Sequence, residues 1–229
     1  TDGGFNGVFN ENTFDATYNI AVDGETLTIP TTKTYDIDWG DGTTDNSNSH
    51  VYTTAGVYTV KIAGLVNDFA FNNSGDKDKI LTVENWGGFV ITDSSFYGCS
   101  SLKLNATDVV DCKGLLFSFR DCSSLVGEAN FNLLPNCNNI SACFLGCTLF
   151  NTDLSSWDTG NVFFVQLMFN NASSFNQDIS DWDWSKMEVI SQFMQGKSSA
   201  NYDYQYYDNL LIKWASGAAN GGLDFTKLT

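Results

Sequence analysis

The sequence predicts a mainly β chain in two parts, a small β-sandwich followed by a repeat solenoid. Three observations carry this. Twenty Gly and twenty-two Asp among 229 residues point to many tight turns, because Asp caps turns and disfavours helix interiors. Residues 14–63 alternate apolar and polar in short runs bounded by turn signals. Beyond residue 65 a short phrase recurs with a period of 23 to 25 residues.

Composition bounds the function before any motif does. The chain is long enough for one large or two small domains, and 42% hydrophobic residues fill a core. A formal charge of −16 excludes nucleic acid as a partner, since neutralising phosphates needs clustered Lys and Arg. An anionic membrane surface is disfavoured for the same reason. No apolar run approaches the roughly 20 residues that span a bilayer, so no membrane insertion is expected. No signal-like segment opens the chain, which starts at Thr1; a removed leader or a fragment both fit. An Asp-rich surface also suits a salty or calcium-rich exterior, where cations screen self-repulsion.

In the first part, Tyr18–Val22 and Thr26–Ile29 alternate across the turn signal Asp23-Gly24. Tyr35–Trp39, a turn at Gly40-Asp41-Gly42 and Val57–Ile62 follow. Short alternating strands with turns between them predict a small sandwich over residues 14–64. The string WGDG at Trp39–Gly42, His50-Val51-Tyr52 and AGVYTV at Ala55–Val60 resemble the PKD domain, an immunoglobulin-like sandwich of extracellular proteins. The match is shorter than a typical member, so an edge strand is missing or comes from residues 1–13, which otherwise read as a linker. Such domains are spacers and contact modules, not enzymes.

In residues 65–229, FYGCSSL from Phe96 returns as FRDCSSL from Phe119, FLGCTLF from Phe144, FNNASSF from Phe169 and MQGKSSA from Met194. Seven residues before these anchors stand Phe89, Cys112, Cys137, Val162 and Met187; six after stand Leu102, Leu125, Phe150, Phe175 and Ala200. A unit this short cannot bury its own apolar face, so neighbours must stack. The offsets fit a leucine-rich coil of a short strand and a helical or 3₁₀ return. The phrases FNNSGDKDKILTVENWG (Phe71–Gly87), NTDLSSWDTGNV and NQDISDWDWSKM resemble the BspA-type leucine-rich repeat surface proteins described from Mycoplasma, and Ala200–Phe225 resembles their terminal cap. Pro135 in the third repeat and Lys197 in place of a small residue depart from the pattern. The resemblance implies a non-catalytic extracellular protein, on a cell or virion surface, that recognises a cell-surface protein or glycan. A phage tail fibre or capsid decoration that associates with copies of itself is the alternative. A glycan-active enzyme with a carboxylate pair is the third, although no pair stands out from the turn-forming background.

Candidate sites are few. Five of six cysteines fall in two repeat columns, Cys99, Cys122 and Cys147 in one and Cys112 and Cys137 in the other, and read as buried free thiols. Cys143 has Cys137 and Cys147 as conceivable disulfide partners. One His and no CxxC pair leave nothing for zinc, and His50 reads as packing near the WGDG turn. No cofactor is required, but Ca²⁺ is conceivable. Asp36, Asp38, Asp41 and Asp45 surround one turn, and the repeat stacks Asp153 on Asp178 and Asp158 on Asp183, with Asp181 nearby. The competing reading has each carboxylate bonding its own turn. Tyr207, Leu210, Leu211 and Trp214 have the spacing of a capping helix, which leaves Trp184, Tyr204 and Tyr206 as candidate ligand contacts.

Overall fold

The alternation of Phe14–Ile20 becomes strand β1, whose Phe14, Ala16, Tyr18 and Ile20 turn inward while the residues between face outward or stay half-covered. In the computed structural model, which describes residues 9–214, the chain is mainly β and forms no closed barrel. Strands β2 (Thr26–Thr28), β3 (Asp36–Asp38), β4 (Thr44–Asp45), β5 (Ser49–Val51) and β6 (Gly56–Ala63) follow in order. β1 and β6 pair antiparallel from Phe14↔Ile62 to Ile20↔Gly56, and β2 pairs with β5 in a separate two-stranded sheet.

The main sheet does not stop at residue 64. Its order is β4-β3-β6-β1-β7-β9, with β7 at Ile80–Asn85 and β9 at Lys103–Leu104. Beyond β1 the sheet continues with β7, which pairs antiparallel with β1 and is itself flanked by β9. Residues 10–13 form a turn in which Thr13 donates to the Asn10 carbonyl, and residues 1–8 lie outside the described range. β9 adds in parallel to β7, so one sheet carries both antiparallel and parallel pairing and joins the two parts. Asp68 fastens the junction by accepting hydrogen bonds from Thr32, Lys33 and the Tyr35 hydroxyl.

The repeated units lie one on another in parallel. Strands β8 (Val90–Ile91), β10 (Val110–Cys112) and β11 (Phe131–Leu133) form a three-stranded parallel sheet. β11 ends at Leu133, two residues before Pro135, and parallel pairing resumes in single bridges from Asn139 to Phe164 to Val189. The columns read from the sequence are inside except at the last unit's end. Phe89, Cys112, Cys137, Val162 and Met187 are buried, as are Leu102, Leu125, Phe150 and Phe175, but Ala200 is exposed because no further unit among the described residues covers it. The anchor rings stack with centroids 5.4 Å apart for Phe96–Phe119, 5.8 Å for Phe119–Phe144 and 5.9 Å for Phe144–Phe169. In the last unit the buried ring is Phe193, and the anchor Met194 is only partly covered.

The return of each unit is a run of turns, not the helix or 3₁₀ segment expected. Backbone handedness explains the difference. Two residues before each anchor the chain is left-handed, at Ser94, Phe117, Ala142, Leu167 and Gln192, with φ between 51° and 61°. Two residues after, it is left-handed again, at Gly98, Asp121, Gly146, Asn171 and Gly196. A right-handed helix cannot pass two such residues in five positions. The alternation also points backbone N–H groups along the stack. In each pair of neighbouring units the N–H groups at anchor −2, anchor and anchor +2 donate to carbonyls of the next unit; the Ser94, Phe96 and Gly98 bonds to Leu116, Ser118 and Arg120 are 2.9, 2.8 and 2.8 Å.

Helix α1 (Tyr204–Lys213) closes the described chain, with Asp203 as its N-cap accepting from the Gln205 N–H at 2.8 Å. It is tied to the stack by Asn209, which donates to Asp178 at 2.9 Å. The part of the expected cap beyond residue 214 lies outside the described residues.

Candidate functional site at the end of the stack

Two adjoining depressions lie where α1 meets the last units. The deeper, about 310 Å³, is lined by Met194, Lys197, Tyr204, Tyr207, Leu210 and Trp214 among others. The shallower, about 520 Å³, is polar, with Asn151, Asn176, Asn201, Asp203 and several serines around it. Ser199, Tyr202 and Tyr204 belong to both.

The repeat itself builds this end. Three residues after the anchor, the column Cys99, Cys122, Cys147, Ala172 ends in Lys197. Cys122 and Cys147 donate their thiols to the carbonyls of Phe96 and Phe119, one unit back, at 3.0 and 2.9 Å. Lys197 works in the same direction with a longer arm. Its Nζ donates to the carbonyls of Ala172, Ser173 and Phe175, the latter two at 3.1 and 2.6 Å. Burial pulls its pKa down to about 8. All three ammonium protons point into the stack, so Lys197 seals the penultimate unit and offers no proton to a ligand.

Tyr204 is 70% exposed, on the first turn of α1, with its ring shared by both depressions. The other two aromatic candidates sit elsewhere. Trp184 is buried, stacked 5.8 Å from Trp182 and edge-on to Phe193 and Trp214, because it fills the space left as the stack ends. Tyr206 is half-buried with its ring 6.3 Å from Tyr202, on the side of α1 that packs on the core. Tyr207, assigned to helix packing by its spacing, is 47% exposed and lines the deeper cavity. Leu210, Leu211 and Trp214 pack inward as expected, and only the first position of the face differs, with Tyr206 in place of Tyr207.

The acidic candidates do not converge. Asp38 accepts from the Gly40 N–H at 2.9 Å, and Asp45 accepts from the Trp39 indole and the Ser47 N–H. Asp41 accepts from Thr43 and lies 2.8 Å from His50 Nε2. Partial burial pushes the Asp41 carboxyl up, but the bonds from Thr43 and His50 outweigh it and hold the pKa below the ordinary value. Asp153, Asp158, Asp178 and Asp183 accept from the N–H groups of Ser155, Gly160, Ser180 and Ser185. Each of these carboxylates bonds the backbone of its own turn, and Asp41, Asp45 and Asp178 also hold His50, the Trp39 indole and Asn209. Among the described residues no three His, Cys, Asp or Glu side chains are grouped as metal ligands, so the calcium expectation gains nothing from this geometry.

All six cysteines are buried and unpaired, with their thiol pKa values raised by burial, Cys137 to about 12. They are small core residues. A disulfide from Cys143 is not formed. His50 packs 5.0 Å from the Trp39 ring and edge-on to Tyr52, as expected of a residue beside the WGDG turn.

The phrase that builds this stack also decides the relationship of the chain. Residues 92–219, more than half of the sequence, match the family described as "Mycoplasma protein of unknown function, DUF285". The chain belongs to that family. No curated protein and no solved structure matches it. The family match begins at Thr92, beside the first full unit, and leaves strands β1 to β8 outside it. No helix among the described residues is long and apolar enough to cross a membrane.

Lys197 and the two asparagines Asn151 and Asn176 were not singled out in the sequence as site residues. The signal for Lys197 is its break from a column of small residues; Asn151 and Asn176 share a column 25 residues apart.

Proposed function

We propose that this DUF285-family chain is a non-catalytic recognition module of a cell or virion surface, a PKD-like sandwich leading into a leucine-rich-repeat-type solenoid. The ligand is a glycan or a protein surface of similar polarity. The observation that carries this reading is Tyr204, an exposed aromatic face between an apolar cavity and a polar groove of Asn151, Asn176, Asn201 and Asp203. An aromatic ring flanked by amide and carboxylate groups suits the apolar face and hydroxyl rim of a sugar, or a polar protein rim. The thiols are buried, and the acidic candidates are engaged in turns, which favours binding over turnover.

The test is binding of labelled protein to whole bacterial cells and to a glycan array, wild type against Tyr204→Ala and Asn176→Ala. Selective binding reduced at least tenfold by Tyr204→Ala supports the reading. Binding unchanged in both variants places recognition on another face, and turnover of a bound glycan replaces the reading with an enzyme.

A further inference from the structure

The stack ends in an edge that displays backbone donors and no matching acceptors. In each internal unit three N–H groups, at anchor −2, anchor and anchor +2, find carbonyls of the following unit. Leu167, Phe169 and Asn171, the donors of the penultimate unit, bond Ser191, Phe193 and Gln195 at 3.1, 3.0 and 3.0 Å. The corresponding donors of the last unit are the N–H groups of Gln192, Met194 and Gly196, and these have no acceptor among the described residues. The carbonyls of the same three residues are already taken, by the N–H groups of Gln195 and Lys197 and by the Asn201 side chain. Gln192 and Gly196 are exposed and Met194 is half-covered, and Met194 forms one wall of the 310 Å³ cavity. A row of unpaired backbone groups open to solvent is a ready template for pairing with another chain that supplies acceptors.

We propose that this edge takes a peptide segment of a second protein, in the turn conformation of the repeat, which adds three carbonyls from alternate residues and places a large apolar side chain in the cavity beside Met194. The required spacing is that of every unit-to-unit step inside the stack. Main-chain addition of this kind gives affinity through the ladder and selectivity through the pocket. A second copy of the chain does not fit. Two such edges are donor against donor, and the opposite end of the stack is closed, with Phe69 and Phe71 buried and the Phe69 ring 5.6 Å from Phe14. A free anion would also accept from these donors, but it must approach a chain of formal charge −16, which favours a neutral carbonyl on a basic segment. The inference rests on the proposed recognition role only in placing a partner at this end; its ladder uses Met194 and backbone groups, and Tyr204 enters only as one wall of the same cavity.

The experiment is amide hydrogen exchange of the full chain with and without a synthetic peptide, VFFVQLMFNNA of this chain's own fourth unit flanked by three lysines at each end. Expected is fast exchange at Gln192, Met194 and Gly196 in the free protein, slowed at least tenfold by peptide. Peptide with its Met-Phe replaced by Ala-Ala binds at least fivefold more weakly. Met194→Pro removes the central donor without breaking a bond of the free protein, and Met194→Asp, which keeps the backbone, fills the cavity mouth with charge. Both reduce peptide affinity while Leu167, Phe169 and Asn171 stay protected. Four results overturn the proposal: no protection; equal binding by both variants; protection by inorganic phosphate alone; or protection in the full chain that vanishes, with peptide binding gained, when residues 215–229 are removed. None of these depends on whether Tyr204→Ala abolishes cell or glycan binding.

Discussion

The indole rings of Trp157 and Trp182 lie 5.9 Å apart and 1° from parallel, each donating its N–H one unit back, to the carbonyls of Ala129 at 3.3 Å and Leu154 at 2.8 Å. Residues twenty-five apart in sequence thus occupy equivalent places in space. The pair records the pitch of the stack more directly than the strands do, since strand pairing past Pro135 shrinks to single bridges.

Trp182 and Trp184 are both buried, but their indole nitrogens differ. Trp184 Nε1 has no partner among the described residues, whereas Trp182 Nε1 holds the Leu154 carbonyl. Replacing Trp182 by Phe removes this bond and leaves the Leu154 carbonyl with the Trp157 N–H at 3.1 Å, a cost of about 1 kcal/mol beyond the lost ring area. Trp184→Phe loses area alone. Denaturant unfolding of the two variants is expected to rank Trp182→Phe as less stable by about 1 kcal/mol; equal losses would show that the indole bond contributes nothing.

The column two residues after the anchor alternates Asn73, Gly98, Asp121, Gly146, Asn171 and Gly196, all left-handed. The alternation is a packing rule. A Cβ on Gly146 would stand 2.6 Å from Asp121 Oδ1, and one on Gly196 would stand 3.1 Å from Asn171 Oδ1. Gly146→Ala is expected to cost about 1–2 kcal/mol for its left-handed backbone, with the overlap added. Asp121→Gly removes the overlapping oxygen and tolerates φ of 61°. The double variant should recover the overlap and retain the backbone cost. A simple sum of the two single changes, measured in a thermal-unfolding cycle, would refute the coupling.

Thiol chemistry gives a third expectation. With all six cysteines buried and their pKa values raised, none presents a thiolate at neutral pH. A disulfide reagent should modify no thiol in the native chain within hours and all six in denaturant. Fast modification of Cys137, the least raised, would show that the stack opens locally at Pro135.

How much of this was legible follows from where each signal sits. The repeat columns could be read because burial demands apolar residues at fixed offsets, and Phe96, Phe119, Phe144 and Phe169 meet that demand. The short strands around the WGDG turn were legible for the same reason at period two. The turn-built return was misread because Phe117, Ala142 and Leu167 carry a left-handed backbone that no side chain announces; the neighbours impose it. β7 was overlooked because ILTVEN alternates poorly, with Leu81 and Thr82 both half-buried between two partners. Of the candidate contacts, Tyr204 is exposed at a cavity, whereas the orientation of α1 that covers Tyr206 is set by Asp203 and Asn209, whose bonds reach Asn176 and Asp178.

Lys197 should behave as a seal and not as a ligand group. Lys197→Ala removes the donor shared by the carbonyls of Ala172, Ser173 and Phe175 at the end of the stack; among the described residues only Ala172 keeps another partner, the Phe175 N–H at 3.1 Å. The expected loss is about 1–3 kcal/mol in denaturant unfolding, with exchange accelerated at Ala172 and Phe175 before the rest of the stack. Uniform acceleration of all units would mean the end is not a separate seal.

Acid stability should depend on Asp68. Partial burial pushes its carboxyl up, but hydrogen bonds from Tyr35, Thr32 and Lys33 outweigh burial and hold the pKa below the ordinary value. A carboxylate whose pKa is lower folded than unfolded contributes stability above the unfolded value, about 3.9, and loses it as pH falls through the folded value. Asp41, Asp178 and Asp183 are depressed as well, so the acid limb is shared. Asp68→Asn keeps one acceptor oxygen but sets an amide against donors, which lowers the unfolding temperature at pH 7. Because the variant has no proton to take up, its unfolding temperature should fall less steeply than wild type between pH 4 and pH 2. Parallel curves over that window would show that the junction held by Asp68 does not govern the acid response, and would leave it to the turns of Asp41 and the repeat.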